Sequence, residues 1–378
     1  MWRKYSFILF FVMVMTNCKK SYNPAVIQSG NNYLVVDGVI NVSPNGISSI
    51  HLTRSRNLGD SSVEVIPETN ASVRIVGSGG NAVLLLDSAN DGVYKSASVS
   101  LSLAESYRFE ITSRDGREYM SDFVTPQITP AIDSLYWEQP DDLNFYVDTH
   151  DPTNSTKYYR WDYVETWAHD ATLSTPWYVE NGMIKVAGEN TQTTNCWSSQ
   201  QSSNITLAST VALGEDVVSH QKLLTIPNGD SRLDKRYSLL LRQYALSEDA
   251  YSYWLLIQKT SQQLGGLFDP QPAQLISNIH CITNPAEPVI GYASASSISE
   301  QRIFLYNTNL TSWGHNGVIY TCDTLMIPVN PTDYRIYNYP DTSYAPYYFI
   351  TNGPLVISNK RCLDCRLFGG TNIKPSFW

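Results

Sequence analysis

Short apolar runs of period two, each broken by turn residues, constrain this chain more than any other feature. Tyr33 to Ile40, Ile50 to Thr53, Ala71 to Val76 and Ala82 to Asp87 follow one another in the first third. Tyr107 to Ile111 and Glu118 to Val124 continue the pattern. Gly77 to Gly80, Asn90-Asp91-Gly92 and Arg114-Asp115-Gly116 separate these runs, and such residues mark tight turns. About seven strands at this spacing predict an immunoglobulin-like β-sandwich over residues 31–127. Gly77 to Gly80 is not a phosphate loop, because no Lys-Ser or Lys-Thr follows it. The second part, 131–378, begins after Thr125-Pro126 and Thr129-Pro130, where proline interrupts strand pairing. Tyr158 to Trp167 is rich in aromatic and β-branched residues that suit pleated surfaces. One helix is predicted near 247–264. Ser247 can cap it, Glu248 and Asp249 suit its first turn, and Ala250, Tyr253, Trp254 and Ile257 recur at helical spacing. Its rings read as packing groups. The expected fold class is therefore mainly β: an N-terminal immunoglobulin-like β-sandwich, then a larger β-rich domain with one prominent helix.

Composition removes several function classes. With 12% aromatic and only 16% charged residues, the 378-residue chain is not of the disordered type. Twenty-six Lys and Arg against 35 Asp and Glu give a net charge of −9, so nucleic acid is not an expected partner.

The first residues read as an address. Arg3 and Lys4 precede the apolar run Phe7 to Met15, which is too short for the ~20 residues a spanning helix needs. Met15-Thr16-Asn17-Cys18 follows, and a cysteine at this point is similar to a bacterial lipobox. Residues 1–17 are expected to be a lipoprotein signal peptide, with Cys18 lipidated and 18–30 a lipidated tether. Lipidation anchors a chain without spanning the membrane. Removing 1–17 moves the net charge from −9 to −11.

An exported chain can form disulfides. Cys196, Cys281, Cys322, Cys362 and Cys365 then remain, an odd set that allows two bridges. The preferred pairs are Cys196–Cys281 and Cys322 with either Cys362 or Cys365. Cys362-Leu-Asp-Cys365 lacks both a thioredoxin-like setting and a second ligand pair for zinc, so structural bridging is the expectation.

Several motifs together carry a resemblance. They include Cys196-Trp197-Ser198-Ser199, Arg236-Tyr237-Ser238-Leu239-Leu240, Gly265-Gly266-Leu267-Phe268-Asp269-Pro270, Asn278-Ile279-His280-Cys281 and Pro288-Val289-Ile290-Gly291-Tyr292. The C-terminal run from Cys362 to Trp378 adds to them. The chain resembles the domain-of-unknown-function 4249 family of Bacteroidota outer-membrane lipoproteins. That resemblance implies an accessory role beside a TonB-dependent outer-membrane transporter.

Motifs of catalysis are sparse. HExxH and G-x-S-x-G are absent from the sequence. Asp148, His150 and Asp151 precede Pro152 and read as a turn rather than a metal site. His280 beside Cys281 is too weak a signal for a thiol pair, since catalytic partners meet in space. Glu165, Glu180 and Glu189 lie in an aromatic-rich stretch, and a glycosidase needs two such carboxylates about 5–10 Å apart. Trp167, Trp177, Tyr178 and Trp197 are candidate binding contacts, because large rigid rings bind at low entropic cost. Asp269 is a further candidate, with a turn-stabilising acid as its plainer role. No metal or cofactor is expected. The expectation is a lipid-anchored outer-membrane accessory or binding lipoprotein acting without catalysis in nutrient uptake, its face toward periplasm or surface left open. The alternative is a surface hydrolase acting on glycan.

Overall fold

The computed structural model describes residues 32–56, 65–262, 277–314, 321–328, 342–351 and 353–378. Cys18, the signal and tether segments 1–17 and 18–30, and Asp269 lie outside the described residues. The protein is mainly β, with one prominent helix at Glu248–Gln262.

The N-terminal part forms one continuous sheet. Its hydrogen-bonded order runs Ile279–Cys281, Glu118–Ser121, Tyr107–Thr112, Ser72–Gly77, Ala82–Leu86, Val93–Ser96, Ser49–Arg54, Leu34–Asn41 and Ile290–Gly291. The alternation seen in sequence becomes alternate burial: Val73 and Ile75 point inward while Ser72 and Arg74 point out. Leu34, Ile50, Leu52, Ile75, Phe109 and Tyr119, from strands across the whole order, share one core, so the sheet curls around it in a sandwich-like way.

Both ends of that order come from far along the chain. Ile279–Cys281 pairs antiparallel with Tyr119 to Ser121 at one edge. Ile290–Gly291 pairs parallel with Val35 and Val36 at the other, and Ser294–Ser296 continues beside Val39 to Asn41. At Gly291 φ is +145° and an added Cβ would overlap the Val36 carbonyl, so only glycine admits this approach. Strand pairing thus crosses the expected boundary between 31–127 and 131–378: the returning segment 279–296 supplies strands to both edges of the N-terminal sheet. The physical reason is edge satisfaction, because an open strand leaves unpaired N–H and C=O groups.

The second part is a sandwich of two sheets. Ile132–Glu138, Leu143–His150 and Val217–Ile226 form one. Asn195–Gln201, Tyr158–Asp170, Arg236–Ala245 and Ile298–Tyr306 lie in that order in the other, and Thr206–Ser209 also pairs with Tyr158–Asp170. Leu135, Phe145 and Val147 of the first sheet meet Tyr159, Trp161, Tyr237 and Leu239 of the second in one core. A smaller sheet, Thr324–Ile327 with Leu355–Asn359 and Tyr344–Phe349, packs against the hairpin of Trp177–Glu180 and Met183–Val186.

Val39 of the first unit packs with Tyr244, Leu246 and Ala250 of the second, with Trp254 and Tyr292 at the margin. This apolar contact joins the two units, and its Val39, Tyr244 and Trp254 also line the cleft described next.

Candidate functional site

A cleft of about 920 Å³ opens between the two units. One wall is the outer face of the N-terminal sheet, where Asp37 and His51 are cross-strand partners. The opposite wall is the outer face of the second unit's larger sheet. There register places Asp162 beside Arg242 and Arg242 beside Glu300, with Arg160, Tyr244 and Ile298 forming the adjacent row. Tyr253 and Trp254 of the helix close one side.

Arg160 is the central group. It is only 8% exposed. Its guanidinium carbon lies 4.8 Å from the Tyr244 ring centre and 4.3 Å from that of Trp254. Each ring presents its negative face to the cation. Its nearest carboxylate is Asp162, at 3.5 Å, and Asp162 also accepts from Arg242 Nε at 2.6 Å. The Nε of Arg160 is buried and bonds nothing. Burial opposes the charge of Arg242, but Asp162 outweighs it and raises the Arg242 pKa. Burial, with Asp162 adding to it, likewise raises the phenol of Tyr244. Burial pushes Tyr253 up to about 12, with Asp37 adding from across the cleft.

A second polar cleft, of about 870 Å³, lies over the returning segment. Glu287 accepts from Arg117 at 2.9 Å and from the Tyr119 hydroxyl at 2.8 Å, while Arg54 bonds Glu68 at 2.6 Å. These groups satisfy one another and tie residues 282–289 to the sheet, so this network reads as a structural clasp.

The four aromatic binding candidates do not form one surface. Register sets Trp167 opposite Ser198 and Ala168 opposite Trp197, so the two tryptophans project from opposite faces. Trp167 packs partly against the core between the sheets. Trp197 exchanges backbone hydrogen bonds with Thr371. Trp177 meets Phe349 edge-on in the small sheet, and Tyr178 lies beside it on the same hairpin, half-buried. The acids are equally dispersed. Glu165 is buried and accepts from Arg232 and Tyr237, each at 2.7 Å. Glu180 pairs with Lys185 on the exposed hairpin, and Glu189 is exposed. Asp151 accepts the backbone N–H groups of Thr153, Ser155 and Thr156, while His150 bonds Asp133. Among the described residues no group of three or more His, Cys, Asp or Glu side chains could hold a metal.

The cysteines pair as Cys196–Cys365 and Cys322–Cys362, and Cys281 is a buried free thiol. The expected pair Cys196–Cys281 is thus corrected. Cys281 belongs to an edge strand of the N-terminal sheet, whereas Cys196 lies in the second unit beside the C-terminal segment. Residues of Cys362-Leu-Asp-Cys365 bridge to different partners, as structural cysteines.

Sequence reasoning missed the Arg160 site. Its signal was the charged pair Arg160 and Asp162 at i and i+2, on one face of an otherwise aromatic strand. Arg242 at the matching position of another strand could be joined to them only by register.

A family model described as Domain of unknown function (DUF4249) matches residues 19–302. This chain belongs to the DUF4249 family. The matched region contains both walls of the interdomain cleft, including Asp37, Arg160, Arg242 and Trp254. No curated protein matches this DUF4249 chain. Among solved structures, a DUF4785 family protein from Legionella pneumophila shares 12% identity, with a TM-score of 0.19. That similarity covers 56% of this chain and 52% of the Legionella chain, so the DUF4249 chain spans about half of it. The α2-macroglobulin of E. coli shares 11% identity over 61% of this chain and 14% of its own, with a TM-score of 0.18.

Proposed function

We propose that this DUF4249 protein is a lipid-anchored outer-membrane binding lipoprotein that acts without catalysis. Its ligand site is the cleft between the two units. Its partner is a TonB-dependent outer-membrane transporter, which it assists in nutrient uptake. The observation that carries the binding role is Arg160, held between Tyr244 and Trp254 in that cleft. Ligand sites favour concave surfaces between domains, where a few fixed polar groups stand among aromatic ones. The carboxylates Glu165 and Glu180 are occupied by Arg232, Tyr237 and Lys185, which supports binding over hydrolysis at those residues. The apolar run before Cys18 supports the lipid anchor.

Two measurements test this reading. Cys18→Ala is expected to abolish metabolic labelling with a fatty acid and to release the protein from membranes; unchanged retention overturns the anchor. A mild-detergent pull-down with mass spectrometry is expected to recover an outer-membrane β-barrel. Repeated recovery of the protein alone overturns the partnership.

A further inference from the structure

We infer that the interdomain cleft binds an acidic carbohydrate, with one sugar carboxylate seated on Arg160. This rests on the proposed binding role and names its ligand.

Three features of the cleft converge on that class. The first is charge. Arg160 is more than nine-tenths buried, its Nε bonds nothing, and its nearest carboxylate, Asp162, is held more closely by Arg242. Glu300 stands beside Arg242 in register, so Asp162 and Glu300 match the two arginines in number, yet Arg160 keeps an unpaired N–H, and an incoming carboxylate would accept from its guanidinium. The second is shape. Tyr244 and Trp254 hold the guanidinium plane, so its fork is fixed before the ligand arrives. A planar fork matches a carboxylate in a bidentate way, and prior order lowers the entropic cost of binding. The third is the rest of the lining. Asn45, Ser49, Gln201, Ser203 and Asn204 carry amides and hydroxyls, which can exchange hydrogen bonds with sugar hydroxyls. Trp254, only partly buried, adds aromatic surface to the lining.

Asp37 and Glu300 also line the cleft. They repel a second carboxylate nearby and so confine the acid group to the Arg160 end. A neutral sugar offers the Arg160 guanidinium no charged acceptor.

The test is isothermal titration of the full chain in detergent with an oligosaccharide that carries a single terminal uronic acid and, in parallel, with its uncharged, carboxyl-reduced form. The singly charged oligosaccharide is expected to bind and its uncharged form to bind at least about tenfold more weakly, the scale of one charge-assisted hydrogen bond. Arg160→Gln is expected to abolish that preference, whereas Lys185→Gln, on the exposed hairpin, retains it. Should Arg160→Gln fail to fold, Arg160→Lys serves: it keeps the charge, loses the fork, and is expected to weaken acidic binding. Equal binding of both sugars, binding of neither, or acidic binding unchanged by the Arg160 variants overturns the inference. Unchanged membrane retention of Cys18→Ala, or repeated recovery of the protein alone, would strike the anchored, partnered reading and leave this titration standing.

Discussion

Gln243 carries a polar junction inside the second unit. It is fully buried; its Oε1 accepts from the Trp161 indole at 2.8 Å, and its Nε2 donates to the Pro130 carbonyl and the Thr149 hydroxyl. One amide thus links both sheets to the proline-rich connection. Gln243→Leu would fill a similar volume but strand the indole N–H and the Pro130 carbonyl in the core. Leaving buried groups unpaired costs about 1–3 kcal/mol each. The variant is expected to unfold at lower urea with the slope unchanged, a net loss of about 2–4 kcal/mol; an unaltered midpoint would refute the junction. The inward parity of Trp161 and Gln243 follows from strand alternation. Their meeting required the register of two strands some eighty residues apart, which no local pattern states. The same holds for Arg160, whose ring partners lie on a distant strand and on the helix.

Elements were more legible than contacts. The helix expected near 247–264 is observed at Glu248–Gln262, because apolar spacing and an N-terminal cap act within a few residues. Ser247 Oγ accepts the Ala250 N–H at 3.2 Å, as a cap does. The bridging of the C-terminal elements was less legible. Cys196–Cys365 spans 169 residues and Cys322–Cys362 spans 40. On chain entropy alone the first constrains the unfolded state by about 5 kcal/mol and the second by about 4. Paired Cys→Ser substitution of each bridge is expected to lower stability, more for Cys196–Cys365, as read by thermal unfolding. An equal or reversed ranking would show that local packing outweighs loop length. The longer bridge also anchors a close contact. A Cβ on Gly370 would come within 2.6 Å of His169 Nε2 and 2.9 Å of Cys196 Cβ, so the C-terminal segment lies flat against the strand it is bridged to.

The whole molecule is held together by a segment that returns. Residues 279–296 give strands to both edges of the N-terminal sheet, and Glu287 clasps them through Arg117 and Tyr119. A fragment comprising residues 32–130 would therefore expose two edges and part of its core, including the surfaces that Ile279, Ala293 and Ala295 cover. It is expected to remain unfolded or to aggregate, with poorly dispersed amide resonances. A well-dispersed spectrum would restore the self-contained sandwich. The same return brings the outer face of the first sheet against the helix and the second sheet, which creates the cleft.

By itself the sequence determined the strand character of most of the described residues, the prominent helix among them and the motifs of the DUF4249 family. These depend on neighbours within a turn or a pleat, so local chemistry suffices. Only the tertiary structure decided which strands close the N-terminal sheet, which cysteine meets Cys196, and which rings hold Arg160. The reason is that loop closure discriminates weakly between distant partners, since doubling a loop costs only about 0.6 kcal/mol. Sequence distance therefore could not choose Cys365 over Cys281. The choice fell to packing, which placed Cys281 in one unit's sheet edge and Cys365 against the strand of Cys196.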